Sequence, residues 1–219
     1  MKKIAFSTRY GLEQAVIDRV KDMTRREDKK LNHTLVTSIS EWGVDDKGKA
    51  YVTITYSTGL TEDVYPAYQI GEEVAVAQRY EECWKFYQQQ WESRKDPSDW
   101  RTAECLDILV DLVGLTPGWN NKMFVKAKFM PHRIRITNIK VERLQDISES
   151  DIVSEGIIMR FGEGQTKPFY TFPKSDKANP SHIFLSAREA FAVLIDNISG
   201  KGTWQRNPWV FVYEFELIQ

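Results

Sequence analysis

Little in this chain points to metal or disulfide chemistry. Cys83 and Cys105 are its only cysteines. They have no CxxC partner, which argues against a zinc site of the paired type. A disulfide between them is open but not indicated. The three histidines, His33, His132 and His182, show no HxxxH or HExxH spacing. No segment approaches the roughly 18 apolar residues that span a membrane. The opening MKKIAFSTRYG carries two lysines but no apolar stretch of signal length. The formal net charge is only −1, so nucleic-acid binding would have to come from a local patch. These absences lead us to expect a soluble, cytoplasmic, reduced protein with no metal, no organic cofactor and no membrane partner. No internal repeat is visible.

What is present is ordinary globular material. Hydrophobic residues make up 42% of the chain and charged residues 28%, enough for a real core. Aromatics are plentiful, with 7 Trp, 9 Tyr and 11 Phe. Residues 3–8 read as a short strand. Leu12, Ala15, Val16 and Val20 then recur at helical spacing, predicting a helix that ends near Lys21. From 34 to 76 the pattern is β, with turns at 45–48 and 57–59 and a YVTITY alternation at 51–56. Tyr80, Cys83, Trp84, Tyr87 and Trp91 then fall on one helical face. Asp96-Pro97-Ser98-Asp99 breaks that helix, and Trp100, Ala103, Leu106, Leu109 and Val113 line a second. Residues 80–118 thus read as an inserted helical hairpin.

Strand patterning resumes at 122–125 and 133–136, with a bulge expected near Thr137-Asn138 because Ile139 and Val141 change phase. Ser148 to Asp151 reads as a capping box with Gly156 as the helix stop. Residues of about 160–184 read as a long loop. Ser186 to Glu189 is a second capping box, before a helix whose apolar face runs to Ile198. Trp209 to Leu217 alternates as a closing strand. The expectation is an α+β chain: a single domain over 1–219, built as a small β-barrel with flanking helices and the inserted hairpin.

The densest chemistry lies in Lys21-Asp22-Met23-Thr24-Arg25-Arg26. Three cations and a hydroxyl in six residues suit an anionic or hydrogen-bonding ligand such as a nucleotide. A lysine three residues before a threonine also suits a base beside a nucleophile. The same composition fits a solvated basic helix end set against the helix dipole.

Together with Ile4-Ala5-Phe6-Ser7, Gly71 to Ala77, Arg133 to Ile136, Val141 to Glu149, Glu155-Gly156-Ile157 and Asn207 to Phe215, this stretch resembles the ASCH domain, in particular ASCH-like proteins of phages and prophages. The resemblance covers both ends of the chain and leaves out 80–118. It implies a PUA-like barrel with a cleft that binds RNA or nucleobases. One relative, a small bacterial amidohydrolase, cleaves the acetyl amide of acetylated cytidine with a lysine, a threonine three residues on and a distant glutamate. Lys21, Thr24 and Glu155 match that set. Arg25 and Arg26 depart from that enzyme, as do the insertions.

Two functions follow as expectations. The first is recognition of RNA or a nucleoside-like molecule, with Lys21, Arg25 and Arg26 meeting phosphate, Thr24 and Glu155 reading the base edge, and Asn121 reaching the cleft. Trp204, Trp209 or an aromatic of 169–172 would stack the base, with Trp204 the better candidate because Trp209 opens a strand and suits core packing. The second is amide hydrolysis with Thr24 as nucleophile, Lys21 as base and Glu155 as acid or orienting group. Against both stands a plain salt-bridged rim, Lys21 to Glu155, with Thr24 capping a backbone N–H. A third expectation gives the hairpin a protein partner, anchored by Trp84, Tyr87 and Trp91.

Overall fold

A computed structural model describes residues 1–93, 100–164, 166–174 and 182–218; the side chains of Trp100 and Arg101 lie outside that set. The elements in order are β1 (Lys2–Ile4), α1 (Leu12–Ile17), β2 (Met23–Glu27), β3 (Val36–Val44), β4 (Ala50–Tyr56), β5 (Thr61–Val64) and β6 (Glu73–Val76). There follow α2 (Tyr80–Ser93), α3 (Trp100–Val110), β7 (Arg133–Arg143), α4 (Glu149–Ser154), β8 (Ile158–Phe161), β9 (Pro168–Thr171), α5 (Ala187–Ser199), α6 (Thr203–Arg206) and β10 (Trp209–Leu217). The chain is therefore mixed α+β, and among the described residues no sheet closes into a barrel. It divides into two compact units, one of Met1–Phe6, Glu73–Arg135 and Leu217–Gln219, the other of Ser7–Glu72 and Ile136–Glu216.

In the first unit β1 runs parallel to β6, with Lys2 beside Val74, and β6 runs antiparallel to the start of β7, with Glu73 opposite Arg135. The helical hairpin forms, but α3 ends at Val110, short of the expected Val113, and both Trp91 and Val113 are exposed. Tyr80, Cys83 and Tyr87 of α2 join Cys105 and Leu109 of α3 in one core with Phe129 and Met130. The expected break at 96–99 lies outside the described residues. Gly118 is required by close approach, since a Cβ there would meet the Tyr80 ring at 2.4 Å.

The strand expected at 122–125 is instead a pair of 3₁₀ turns, Lys122–Phe124 and Ala127–Phe129. Asn121 accepts the Met123 N–H at 3.0 Å, offering the backbone a local partner in place of a ladder. Lys3 holds the turn further by donating to the Val125 carbonyl at 3.0 Å.

In the second unit β10 lies antiparallel to β2, from Val210 opposite Glu27 to Glu214 opposite Met23. The expected in-out alternation of β10 does not hold over Val210–Tyr213, where all four side chains are buried. Strands β3, β4 and β5 form an antiparallel meander. The expected loop at 160–184 is in its described part a hairpin, β8 with β9, whose four-residue strands are too short to show a period. Phe172 beyond it is fully buried. The phase change in β7 is real: Thr137 and Asn138 are both exposed between buried Ile136 and Ile139.

Of the two capping boxes, Ser148 accepts the Asp151 N–H at 3.1 Å, while the Ser186 side chain makes no cap hydrogen bond. The apolar face of α5 stops at Ile195, leaving Ile198 exposed. Finally, α1 ends at Ile17, short of the predicted Lys21. Arg19 takes a left-handed φ of 60°. The N–H groups of Arg19 and Val20 bond back to Val16 and Ala15, the closing pattern of a Schellman turn. Glycine normally marks that position, so an arginine there hides the stop.

Candidate functional site: a buried charge cluster

This early stop shapes the site. Lys21 follows the turn as irregular chain, and Met23-Thr24-Arg25-Arg26 is a strand, not a solvated helix end. The basic stretch is largely buried, with Lys21 at 2%, Thr24 at 4% and Arg25 at 7% exposure.

Burying charge is costly unless partners are supplied, and α4 supplies them. Its last turn closes on Gly156, whose φ is 100°. The glycine serves the left-handed turn, and a Cβ there would stand in ordinary contact with the Lys21 stem at 3.5 Å. The turn leaves the Glu155 carbonyl at the negative end of the helix. There the Lys21 Nζ donates to the Glu155 carbonyl at 2.7 Å, to Glu155 Oε2 at 2.6 Å and to the Met23 carbonyl at 2.6 Å. An ammonium has three donors, and each has an oxygen. Burial lowers the Lys21 pKa from its ordinary value, with Glu155 pulling it back up.

Arg25 is the hub of the other half. Its Nε and Nη2 donate to Glu142 Oε1 at 2.9 and 2.7 Å. Nη2 also donates to Asp151 Oδ2 at 2.7 Å, and Nη1 to Glu155 Oε1 at 3.2 Å. Lys140 completes the set, donating to Asp151 Oδ2 at 2.9 Å and pairing with Glu142 at 3.4 Å. Burial works against the Arg25 charge, but Glu155, Glu142 and Asp151 more than restore it. Burial likewise opposes the Asp151 charge, but Lys140, Arg25 and Ser148 hold its carboxyl below the ordinary value. Lys21, Arg25 and Lys140 thus balance Glu142, Asp151 and Glu155, and the cluster is neutral.

Alternation along β2 puts Thr24 and Arg26 on the face opposite Arg25. Tyr213 lies in register across from Thr24 and Phe211 across from Arg26. Tyr68 meets Tyr213 edge-on at 5.2 Å. Burial lowers the Arg26 pKa, opposed by Tyr68, Glu155 and Tyr213. This second face combines a hydroxyl, a guanidinium and two phenols.

No family model, no curated protein and no solved structure matches the chain.

The structure therefore joins Lys21, Arg25 and Glu155 directly and sets Thr24 and Arg26 on the opposite face of β2. Arg25, expected to meet a ligand, has a side chain only 1% exposed and engaged by carboxylates. Trp204 is in α6; its ring sits edge-on to Phe191 at 6.1 Å and under the Arg188 guanidinium at 5.8 Å. Asn121 belongs to the first unit, where its side chain caps the 3₁₀ turn. Among the described hairpin aromatics, Tyr87 is spent on the core and Trp84 packs against Trp119 at 6.4 Å, while Trp91 is exposed.

Sequence reasoning missed Lys140, Glu142 and Asp151 as members of the site. The i, i+2 spacing of Lys140 and Glu142 on one strand face was the available signal. Among the described residues no group of His, Cys, Asp and Glu is arranged to hold a metal ion.

Proposed function

We propose that this chain is an ASCH-type protein with a PUA-like core that takes a nucleobase-bearing ligand on the Thr24 face of β2, and that it hydrolyses an acyl amide of a modified nucleoside such as acetylated cytidine. The observation that carries this reading is the Lys21–Glu155 contact, a buried ammonium 2.6 Å from a carboxylate with its pKa lowered by burial. Perturbed, desolvated titratable pairs collect at sites of proton transfer. A cation that recruits phosphate needs exposure, which Lys21 and Arg25 lack.

Moving one proton from Lys21 Nζ to Glu155 Oε2 leaves an uncharged amine and an uncharged acid, with no change in net charge. The amine takes the Thr24 hydroxyl proton as Oγ bonds to the amide carbonyl carbon. The proton held by Glu155 is delivered to the departing nitrogen as the C–N bond breaks, leaving an acyl ester on Thr24. A second proton transfer from Lys21 to Glu155 frees the amine to deprotonate water, whose oxygen bonds to the acyl carbon as the ester C–O bond breaks, and Glu155 returns its proton to the departing Thr24 Oγ.

The test is a panel of acylated cytidines and related amides, with products read by mass spectrometry for the native protein and for Lys21→Met and Thr24→Val. Nucleoside release by the native chain that both variants lose supports the reading. Release that survives Thr24→Val, or no release across the panel, refutes it. A second reading, binding without turnover, is favoured by Arg26 and Tyr68 beside Thr24, which supply a guanidinium and a phenol for a base. It predicts affinity for the free nucleoside that falls in Arg26→Ala.

A further inference from the structure

The second unit contains a recess at the Glu27 end of β2, away from the charge cluster. It lies four strand residues, about 13 Å, from Met23 at the charge cluster. A cavity of about 340 Å³ is lined in part by Asn32, His33, Val36, Arg143, Arg206 and Trp209. That is within the range of small-molecule sites, roughly 300–1,000 Å³.

Its wall is held firmly. Asn32 accepts the Trp209 N–H at 2.7 Å and donates to the Trp209 carbonyl at 2.7 Å, so both backbone groups of Trp209 are clamped. The Arg143 guanidinium lies over the Trp209 indole at 4.5 Å. Its single hydrogen bond among the described residues goes to the Asn207 carbonyl at 3.1 Å. Arg143 is exposed and, among the described residues, is paired with no carboxylate. Arg206 borders the same recess and is held in place by Glu27 at 3.1 Å through both Nη atoms. His33 Nδ1 accepts the Leu35 N–H at 3.3 Å, so the neutral ring carries its proton on Nε2.

We infer that this recess is a nucleotide-binding site, taking a phosphate on Arg143 and Arg206 and the attached planar base against the Arg143–Trp209 stack. A planar guanidinium fixed on an indole offers bidentate donors to phosphate and a π surface to a base at little ordering cost. The hydrogen bond accepted by His33 Nδ1 leaves Nε2–H as a further donor. The site goes beyond the hydrolytic reading and shares no residue with it. Its ligand has two sources, a free nucleotide or a nucleotide within single-stranded RNA.

Calorimetric titration of the full chain at low salt separates these. The probes are cytidine 5′-monophosphate, cytidine, inorganic phosphate and a 5′-phosphorylated pentacytidylate. The expected result is at least tenfold tighter binding of the monophosphate than of cytidine or phosphate. Arg143→Gln should weaken it at least tenfold and lower the salt slope by about one. Arg143→Lys, which keeps charge but not the planar stack, should recover only part. Pentacytidylate binding well above the monophosphate identifies RNA as the source, and equal binding identifies the free nucleotide.

Lys21→Met should leave these affinities unchanged, whatever happens to hydrolysis. The inference is overturned if none of the phosphorylated probes binds at millimolar concentration, if cytidine binds as well as its phosphate, or if a correctly melting Arg143→Gln binds like the native chain. It is also overturned if Lys21→Met abolishes binding, which would place the ligand at the charge cluster.

Discussion

Replacing Lys21 by methionine keeps the length of the stem and removes the charge. Three oxygens then lose their donor: Glu155 Oε2 and the carbonyls of Glu155 and Met23. Breaking a buried ion pair by removing one partner costs about 3–5 kcal/mol, because the other charge stays buried. Glu155 retains Arg25 at 3.2 Å, so the low end, about 3 kcal/mol, is expected. Against a typical total of about 5–15 kcal/mol, Lys21→Met should still fold at 25 °C.

Urea titration at pH 7 should show a lower midpoint with an unchanged slope. Adding Glu155→Leu should cost less than the two single changes summed, with a coupling of about 1–3 kcal/mol. The pH dependence gives a second reading with a defined sign. The folded pKa of Lys21 lies below its ordinary 10.5, so over that window the unfolded chain binds the extra proton. Native stability therefore gains a rising contribution from Lys21 as pH climbs from the lowered value to 10.5, and Lys21→Met should lose it. A Lys21→Met midpoint equal to the native one, or a double variant showing full additivity, would refute the reasoning that the pair is buried and mutually dependent.

Other expectations concern the surroundings. Asp151 is held below its ordinary 3.8, so its stabilising contribution is present above 3.8 and is lost as pH falls through the folded value; Asp151→Asn should flatten the acid limb of a stability–pH curve measured by urea midpoints. Arg19→Gly relieves a left-handed residue at the end of α1 and should raise stability by about 0.5–1 kcal/mol, read as an increase in thermal midpoint. Gly118→Ala drives a methyl into the Tyr80 ring and should cost about 1–3 kcal/mol in the same assay.

Long periodic segments were legible in the sequence and short or locally competed ones were not. The hairpin face through Tyr80, Cys83 and Tyr87 emerged because helical period survives over many residues. The phase change at Thr137-Asn138 could be read because isoleucines bracket it. The β8–β9 hairpin could not, since four residues give no period and glycines crowd the turn. Residues 122–125 looked like a strand because no apolar pattern reports that Asn121 will capture the Met123 N–H. At the site, Lys21 and Glu155 could be named but their burial could not. Three cations in six residues resemble a wet surface unless their carboxylates, on β7 and α4, are known to converge on them.

That convergence also dictates when the cluster can form. Lys21 reaches Glu155 across 134 residues of chain, and Arg25 reaches Glu142 across 117. During synthesis the two cations emerge early and have no neutralising partners until the stretch 140–155 has left the ribosome. The intervening segment 73–135 supplies most of the first unit in one continuous piece and can begin packing its helical hairpin in the meantime. Assembly of the second unit is thus deferred to the last third of translation, and a chain interrupted before Glu155 would carry unneutralised cations at positions built for burial.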